Sequence, residues 1–157
     1  MKCLDASLAV LLIVTGGCAV GGGEGPAGGE EASPACLEAD EHSDLEWIER
    51  EVLASGCAGF SSCHQGSAPS AGGLNLEPGM AFDNLVGVES TVATGMSLVE
   101  PGAPAESYLL VILGHYGADD PRIDPSIGTM PANNEMLCDE KRSAICLLYT
   151  SPSPRDS

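Results

Sequence analysis

The chain has 157 residues, 6 of them basic and 23 acidic, for a net charge of −17 at pH 7. So acidic a polypeptide repels phosphate backbones and anionic lipid, which excludes nucleic-acid binding and adsorption to a membrane surface by charge. With the terminal segments set aside, the length allows one domain; its 4 % of aromatic residues make so thin a core that a disulfide, a metal or a cofactor is needed to complete it.

Lys2 is the only positive charge ahead of an apolar run, Leu8 to Val14, which leads into Thr15, Gly16, Gly17 and Cys18. A charged start, a short apolar stretch and small residues make residues 1–17 an export signal. The run is far below the roughly 20 apolar residues of a membrane-spanning helix. Small residues running into a cysteine resemble a lipobox, with Thr15 where that motif usually carries Leu. The resemblance implies acylation of Cys18: a lipoprotein of the cell envelope, periplasmic or outer-membrane, meeting the membrane through its lipid anchor only. Residues 18–35 follow as a tether, because Gly21 to Pro34 is Gly-, Ala- and Glu-rich without a large apolar side chain and cannot bury enough surface to order itself.

The folded domain is expected over 36–145. Ser43-x-x-Glu46 reads as a capping box, and Leu45, Ile48 and Val52 at helical spacing predict a helix from Asp44 to Ser55 closed by Gly56. Gly56 to Gly73 is loop. Pro78 to Val86 predicts a short helix with Ala81, Phe82, Leu85 and Val86 on its apolar side. Pro104 suits the first turn of a helix over Ala105 to Leu113, with Tyr108, Leu109, Ile112 and Leu113 inward. Gly114 to Thr129 is loop, and a last helix begins near Asp139. No stretch alternates with period two. The fold class is all-α: short helices and long loops, the last helix truncated. The run from Cys146 to Asp156, Cys-Leu-Leu-Tyr-Thr-Ser-Pro-Ser-Pro-Arg-Asp, resembles the translation of a transposase-type sequencing adapter. Residues 146–157 are therefore expected to be a non-native tail that cuts the last helix at Ile145. The domain's four cysteines, Cys36, Cys57, Cys63 and Cys138, predict disulfides in an oxidising compartment, with three pairings open.

The segment that carries chemistry is Cys57-Ala-Gly-Phe-Ser-Ser-Cys63-His64. After it, in order, come Ala71-Gly-Gly-Leu-Asn-Leu76, Asn84-Leu-Val-Gly-Val88, Leu98-Val-Glu-Pro-Gly-Ala-Pro-Ala-Glu-Ser-Tyr-Leu109 and Thr129-Met-Pro131. This series resembles the planctomycete-type cytochrome c domains and their relatives in myxobacterial lipoproteins, over about Ile48 to Ile145. The resemblance implies a small cytochrome-c-like domain that binds haem c and transfers one electron, an electron carrier rather than an enzyme. It makes Cys63 a haem attachment point, His64 the proximal iron ligand and Met130 the distal one. The family's earlier attachment cysteine stands three residues before the second; Phe60 occupies that place here, and Cys57 lies three further back. Three arrangements follow: a single thioether from Cys63, a second one from Cys57 across the longer spacing, or a Cys57–Cys63 disulfide in a haem-free binding or structural module, with Cys36 and Cys138 as a second bridge. Partners are then redox proteins of the envelope, basic ones by charge.

Other residues read as ordinary. Met80, Met96 and Met136 are gap fillers, His115 a solvent-facing loop residue, His42 a surface residue where the first helix begins, and Asp119, Asp120 and Asp124 a solvated acidic loop. Cys57, Cys63 and His64 lack the paired C-x-x-C halves of a zinc site, and nothing assembles a nucleophile, base and oxyanion hole. If Cys18 is acylated, labelled palmitate enters the protein and Cys18→Ser releases it into the soluble fraction; label incorporation unchanged by that substitution contradicts the anchor.

Overall fold

The computed structural model describes residues 33–132 and 134–150. The export signal, Cys18, the tether up to residue 32, and residues 151–157 lie outside them. The described residues form five short α-helices, long loops and isolated β-bridges without a strand, a small helical domain as the sequence predicts. None of the described helices is long and apolar enough to cross a membrane.

The first helix, α1, spans Pro34–Ala39 and was not predicted; it begins inside the expected tether with proline in its first turn, where the missing N–H costs nothing. The second, α2, spans Leu45–Ile48 and runs without a break into a π-helical segment, Glu49–Cys57. Its cap is Asp44 rather than the expected Ser43: Asp44 Oδ1 accepts from the Trp47 N–H at 2.8 Å. Asp and Ser cap about equally well. Here the contact of His42 Nδ1 with Asp44 Oδ2, 3.0 Å, holds the aspartate in place. The wider winding shows at the exit, where the Ala58 N–H reaches back to the Leu53 carbonyl at 2.8 Å. Such windings are rare beyond a single turn and are frequent at functional sites. It carries the helix through Gly56 to Cys57, past the predicted end.

Helix α3, Ala81–Leu85, is shorter than predicted. Its start is gripped by Glu49 from the π-helical segment, whose carboxylate accepts from the Gly79 N–H at 2.9 Å and the Ala81 N–H at 3.2 Å. Helix α4 is Tyr108–Ile112, without the first turn the sequence assigned it. Ser107 interrupts: its Oγ accepts from the Glu100 N–H at 2.9 Å and donates to the Ala103 carbonyl at 3.2 Å. The Tyr108 and Leu109 N–H groups then go to the carbonyls of Ser97 and Leu98, both at 2.9 Å. Pro104–Glu106 is left as a separate 3-10 turn. Tyr108, Leu109, Leu110 and Val111 of α4 are all buried, so the helix is central rather than one-faced, and Ile112 is only half-buried.

Helix α5 spans Asp139–Thr150 and packs on α1, α2 and α4. It runs on past Ile145, where the non-native tail is expected to begin, and its next turn places Cys146 and Leu148 beside Ala144 and Ile145 in the core. The main core joins Trp47, Ile48, Val52 and Leu53 to Leu85, Leu110, Leu113 and Ile145, and a smaller one gathers Ile123 against Tyr108 and Val111.

Cys36 in α1 and Cys138, just before α5, form a disulfide across 102 residues of sequence. Of the three two-bridge pairings left open none is complete: the Cys36–Cys138 bridge is present, and Cys57 and Cys63 are free thiols. Closing so long a loop removes much of the unfolded chain's freedom, so replacing both Cys36 and Cys138 by Ala is expected to lower unfolding free energy by about 2–5 kcal/mol. Urea titration of the oxidised protein against the double variant measures it.

Candidate functional site

A cavity of about 500 Å³ opens between the end of the π-helical segment, the loop after it, α4 and the segment around Met130. That is in the range of small-molecule and cofactor sites, roughly 300–1,000 Å³. Its wall is largely aliphatic, from Leu74, Leu76, Leu98, Leu109, Ile112 and Leu113. Cys57, Cys63, His64 and Met130, the four domain residues singled out from sequence, all line this one cavity. Met80, Met96, Met136, His42 and His115 do not.

The loop that presents the cysteines and the histidine is closed by backbone bonds. The His64 N–H donates to the Cys57 carbonyl at 3.0 Å, and the Cys63 N–H donates to the Phe60 carbonyl at 2.9 Å. The His64 carbonyl accepts from the Leu76 N–H at 2.8 Å, and its ring Nδ1 lies 3.3 Å from the Leu74 carbonyl oxygen. A carbonyl can only accept, so the proton sits on Nδ1 and Nε2 keeps its lone pair. Burial holds the His64 imidazole below its ordinary pKa against the opposing pull of the Leu74 bond, which keeps it neutral near pH 7. The segment that supplies Leu74 and Leu76 returns to His64 through Gly72 and Gly73, at φ 66° and 76°. Only glycine takes two such positions in succession without strain, which gives the Gly-Gly-Leu-x-Leu pattern a physical purpose.

Met130 is fixed by its backbone, whose N–H donates to the Ile112 carbonyl at 2.8 Å and so satisfies an orphan acceptor at the end of α4. Its half-buried side chain packs against the main core. Burial, with the charge of nearby Cys63 adding to it, pushes the Cys57 thiol up to about 11. It is therefore protonated at neutral pH and weakly nucleophilic. Among the described residues, the only three His, Cys, Asp or Glu donors within 4.8 Å of one another are Cys36, Cys138 and Glu140, and the first two are spent on the disulfide. Cys57, Cys63 and His64 are too far apart to close on one small ion, so a zinc site built from these three is not formed.

Two readings of the sequence need correcting. His115 is not solvent-facing but only 7 % exposed. Its backbone N–H is tied to the Leu110 carbonyl at 3.0 Å, its ring meets Tyr116 edge-on at 5.0 Å, and its Nε2 has no hydrogen-bond partner. Nor is the acidic loop simply solvated: Asp120 is nearly buried and pairs with Arg122 at 2.7 Å, which in turn lies over the Tyr116 ring. The surroundings of His115 depend on α5, whose Arg142 donates to the Gly114 carbonyl, whereas the Asp120–Arg122 pair is local, two residues apart.

No known family, curated protein or solved structure matches the chain. The site therefore stands on its geometry.

The histidines give a pH dependence. Burial depresses His64, and burial with the Arg142 charge depresses His115, with Asp139 opposing. Above the ordinary value of 6.5 neither folded nor unfolded chain holds the proton; below it the unfolded chain takes up protons that the folded one resists. Stability of the protein as purified without ligand is thus expected to fall as pH drops from about 6.5 toward 5. His115→Phe should flatten that slope, measured by urea midpoints across the range.

Proposed function

We propose that this protein is an electron carrier of the cytochrome c type, an envelope lipoprotein whose cavity would hold haem c, with His64 and Met130 as the residues that would bind its iron and Cys63 as an attachment point. The observation that carries the reading is the His64–Leu74 bond, which leaves an unprotonated Nε2 on a haem-compatible aliphatic cavity that also holds a thioether and two thiols. The donor set fits the group: a neutral imidazole and a soft thioether suit low-spin iron, while the separation of Cys57, Cys63 and His64 suits a large planar ligand better than a lone ion.

Haem supplies a one-electron iron couple when bound. The chain's part is to set its surroundings. The Leu74 carbonyl orients the imidazole and makes Nε2 a stronger donor. Met130, anchored to the end of α4, offers a sulfur that raises the potential above that of a second imidazole. The leucines and Ile112 keep water and its dielectric away, the remaining lever on potential. A net charge of −17 favours docking with basic redox partners and speeds their encounter at low salt.

A haem-free, disulfide-stapled binding or structural module is the second reading, and the Cys36–Cys138 bond favours it by supplying one staple without a cofactor. The pyridine haemochrome spectrum of protein exported together with a cytochrome maturation system separates the two. Haem-bearing wild type should lose its reduced visible bands on His64→Ala. Met130→Ala should keep the haem, admit carbon monoxide and lower the potential. Colourless wild type moves the assignment to the haem-free module.

A further inference from the structure

Of the buried side-chain polar atoms that find no hydrogen-bond partner among the described residues, Tyr108 Oη alone belongs to a residue lining the cavity. Tyr108 opens α4 and is 2 % exposed. Its backbone N–H is used, donating to the Ser97 carbonyl at 2.9 Å; the hydroxyl is left over. A buried hydroxyl without a partner costs free energy that a phenylalanine of the same shape would not. The oxygen, rather than the ring, therefore calls for a reason.

The neighbouring side chains do not supply it. Asp124 is near enough to act on the phenol by its charge, but it is exposed, and its Oδ1 accepts from the Ser126 N–H at 2.8 Å and the Ser126 hydroxyl at 2.7 Å. The polar groups beside Tyr108 on the cavity wall are engaged elsewhere. The Asn84 amide donates to the Asn75 carbonyl at 2.9 Å, and Ser90 Oγ is held by the Val92 and Ala93 N–H groups at 3.2 and 3.0 Å. No lysine or arginine lines the cavity, and the one carboxylate side chain that does, Glu89, is exposed. An anionic group of a ligand held there finds no cation to pair with and relies on neutral donors. Burial, with the Asp124 charge adding to it, holds the Tyr108 phenol above its ordinary pKa, so at neutral pH its proton is in place to be donated.

We infer that Tyr108 is the residue by which the cavity recognises an acidic group of its ligand, the hydroxyl donating to one carboxylate of the bound porphyrin. The inference rests on the haem reading above. Haem carries two carboxylates, on propionate arms along one edge of a ring that is otherwise apolar. The aliphatic wall suits the ring, and Tyr108, at the start of α4, suits one arm. Its hydroxyl is matched only when the ligand is in, so the cost of leaving it bare becomes selectivity for a ligand that brings an acceptor. The same bond sets which edge of the ring faces α4.

The test compares wild type with Tyr108→Phe, which removes one oxygen and keeps the ring, as full chains exported with a maturation system competent for haem c. In resonance Raman spectra of the haem protein, the propionate bending band is expected at lower frequency in the variant, because that mode follows hydrogen bonding to the carboxylate. In the ligand-free protein the same substitution should leave the urea midpoint unchanged or raise it. A variant that keeps its ligand-free midpoint yet carries less haem has lost the same bond. A propionate band that does not move overturns the inference and leaves the haem reading intact. So does a ligand-free midpoint that falls as far as that of the haem protein, which means that the hydroxyl has a partner on the chain itself. Colourless wild type overturns the haem reading, and the inference with it.

Discussion

The bond between Cys36 and Cys138 spans 102 residues, and every residue that lines the cavity lies inside that loop. Four of the five described α-helices, α1 to α4, have only four to six residues, and none of these would be stable as an isolated helix. They hold because the first and last of the five are fastened together and packed on each other. With α1 and α5 clasped, α2 and α4 have a fixed floor to pack on. The loops between them have room to be long without adding much to the freedom lost on folding. That division of labour suits a chain with few aromatic side chains: connection supplies what bulk does not.

Inside the clasp, the polar contacts converge on a few residues. Glu49 holds the start of α3, Ser107 directs the chain into α4, and the His64 ring and carbonyl take the Leu74–Leu76 segment. All three join parts of the chain that border the cavity. The site is thus braced by the same bonds that satisfy loop backbone, and its shape does not rest on side-chain packing alone. A cavity with aliphatic walls and braced rims keeps its form better than one whose rims are free.

What the sequence made legible was chemistry more than shape. The Cys-His pair and the Met-Pro turn led to four residues that share one cavity, and the apolar spacing of Ile48 and Val52 found a true core face. Helix ends were less legible. Ser107 looked like an ordinary helix residue until its hydroxyl found Glu100 and Ala103, and the wide winding beyond Ile48 has no pattern that separates it from an α-helix. The helix at Pro34 was hidden because its Gly- and Glu-rich neighbours mask a six-residue element fixed by a distant cysteine. The burial of His115 was hidden for a similar reason: Arg142 donates to the Gly114 carbonyl only once α5 has docked. Each miss is a case of tertiary contact overriding local preference.

The stack at the start of α2 has a practical side. Trp47 is the chain's one tryptophan, 2 % exposed, and it lies parallel to the His42 ring with centroids 4.6 Å apart. All indole fluorescence of the protein therefore originates at a single point, where the Asp44 cap, α2 and the face toward α5 meet. Because the ring is buried, a move of that emission to longer wavelength reads its exposure. The molecule carries its own optical probe, placed at the joint between its first long helical stretch and its last helix, and needing no label.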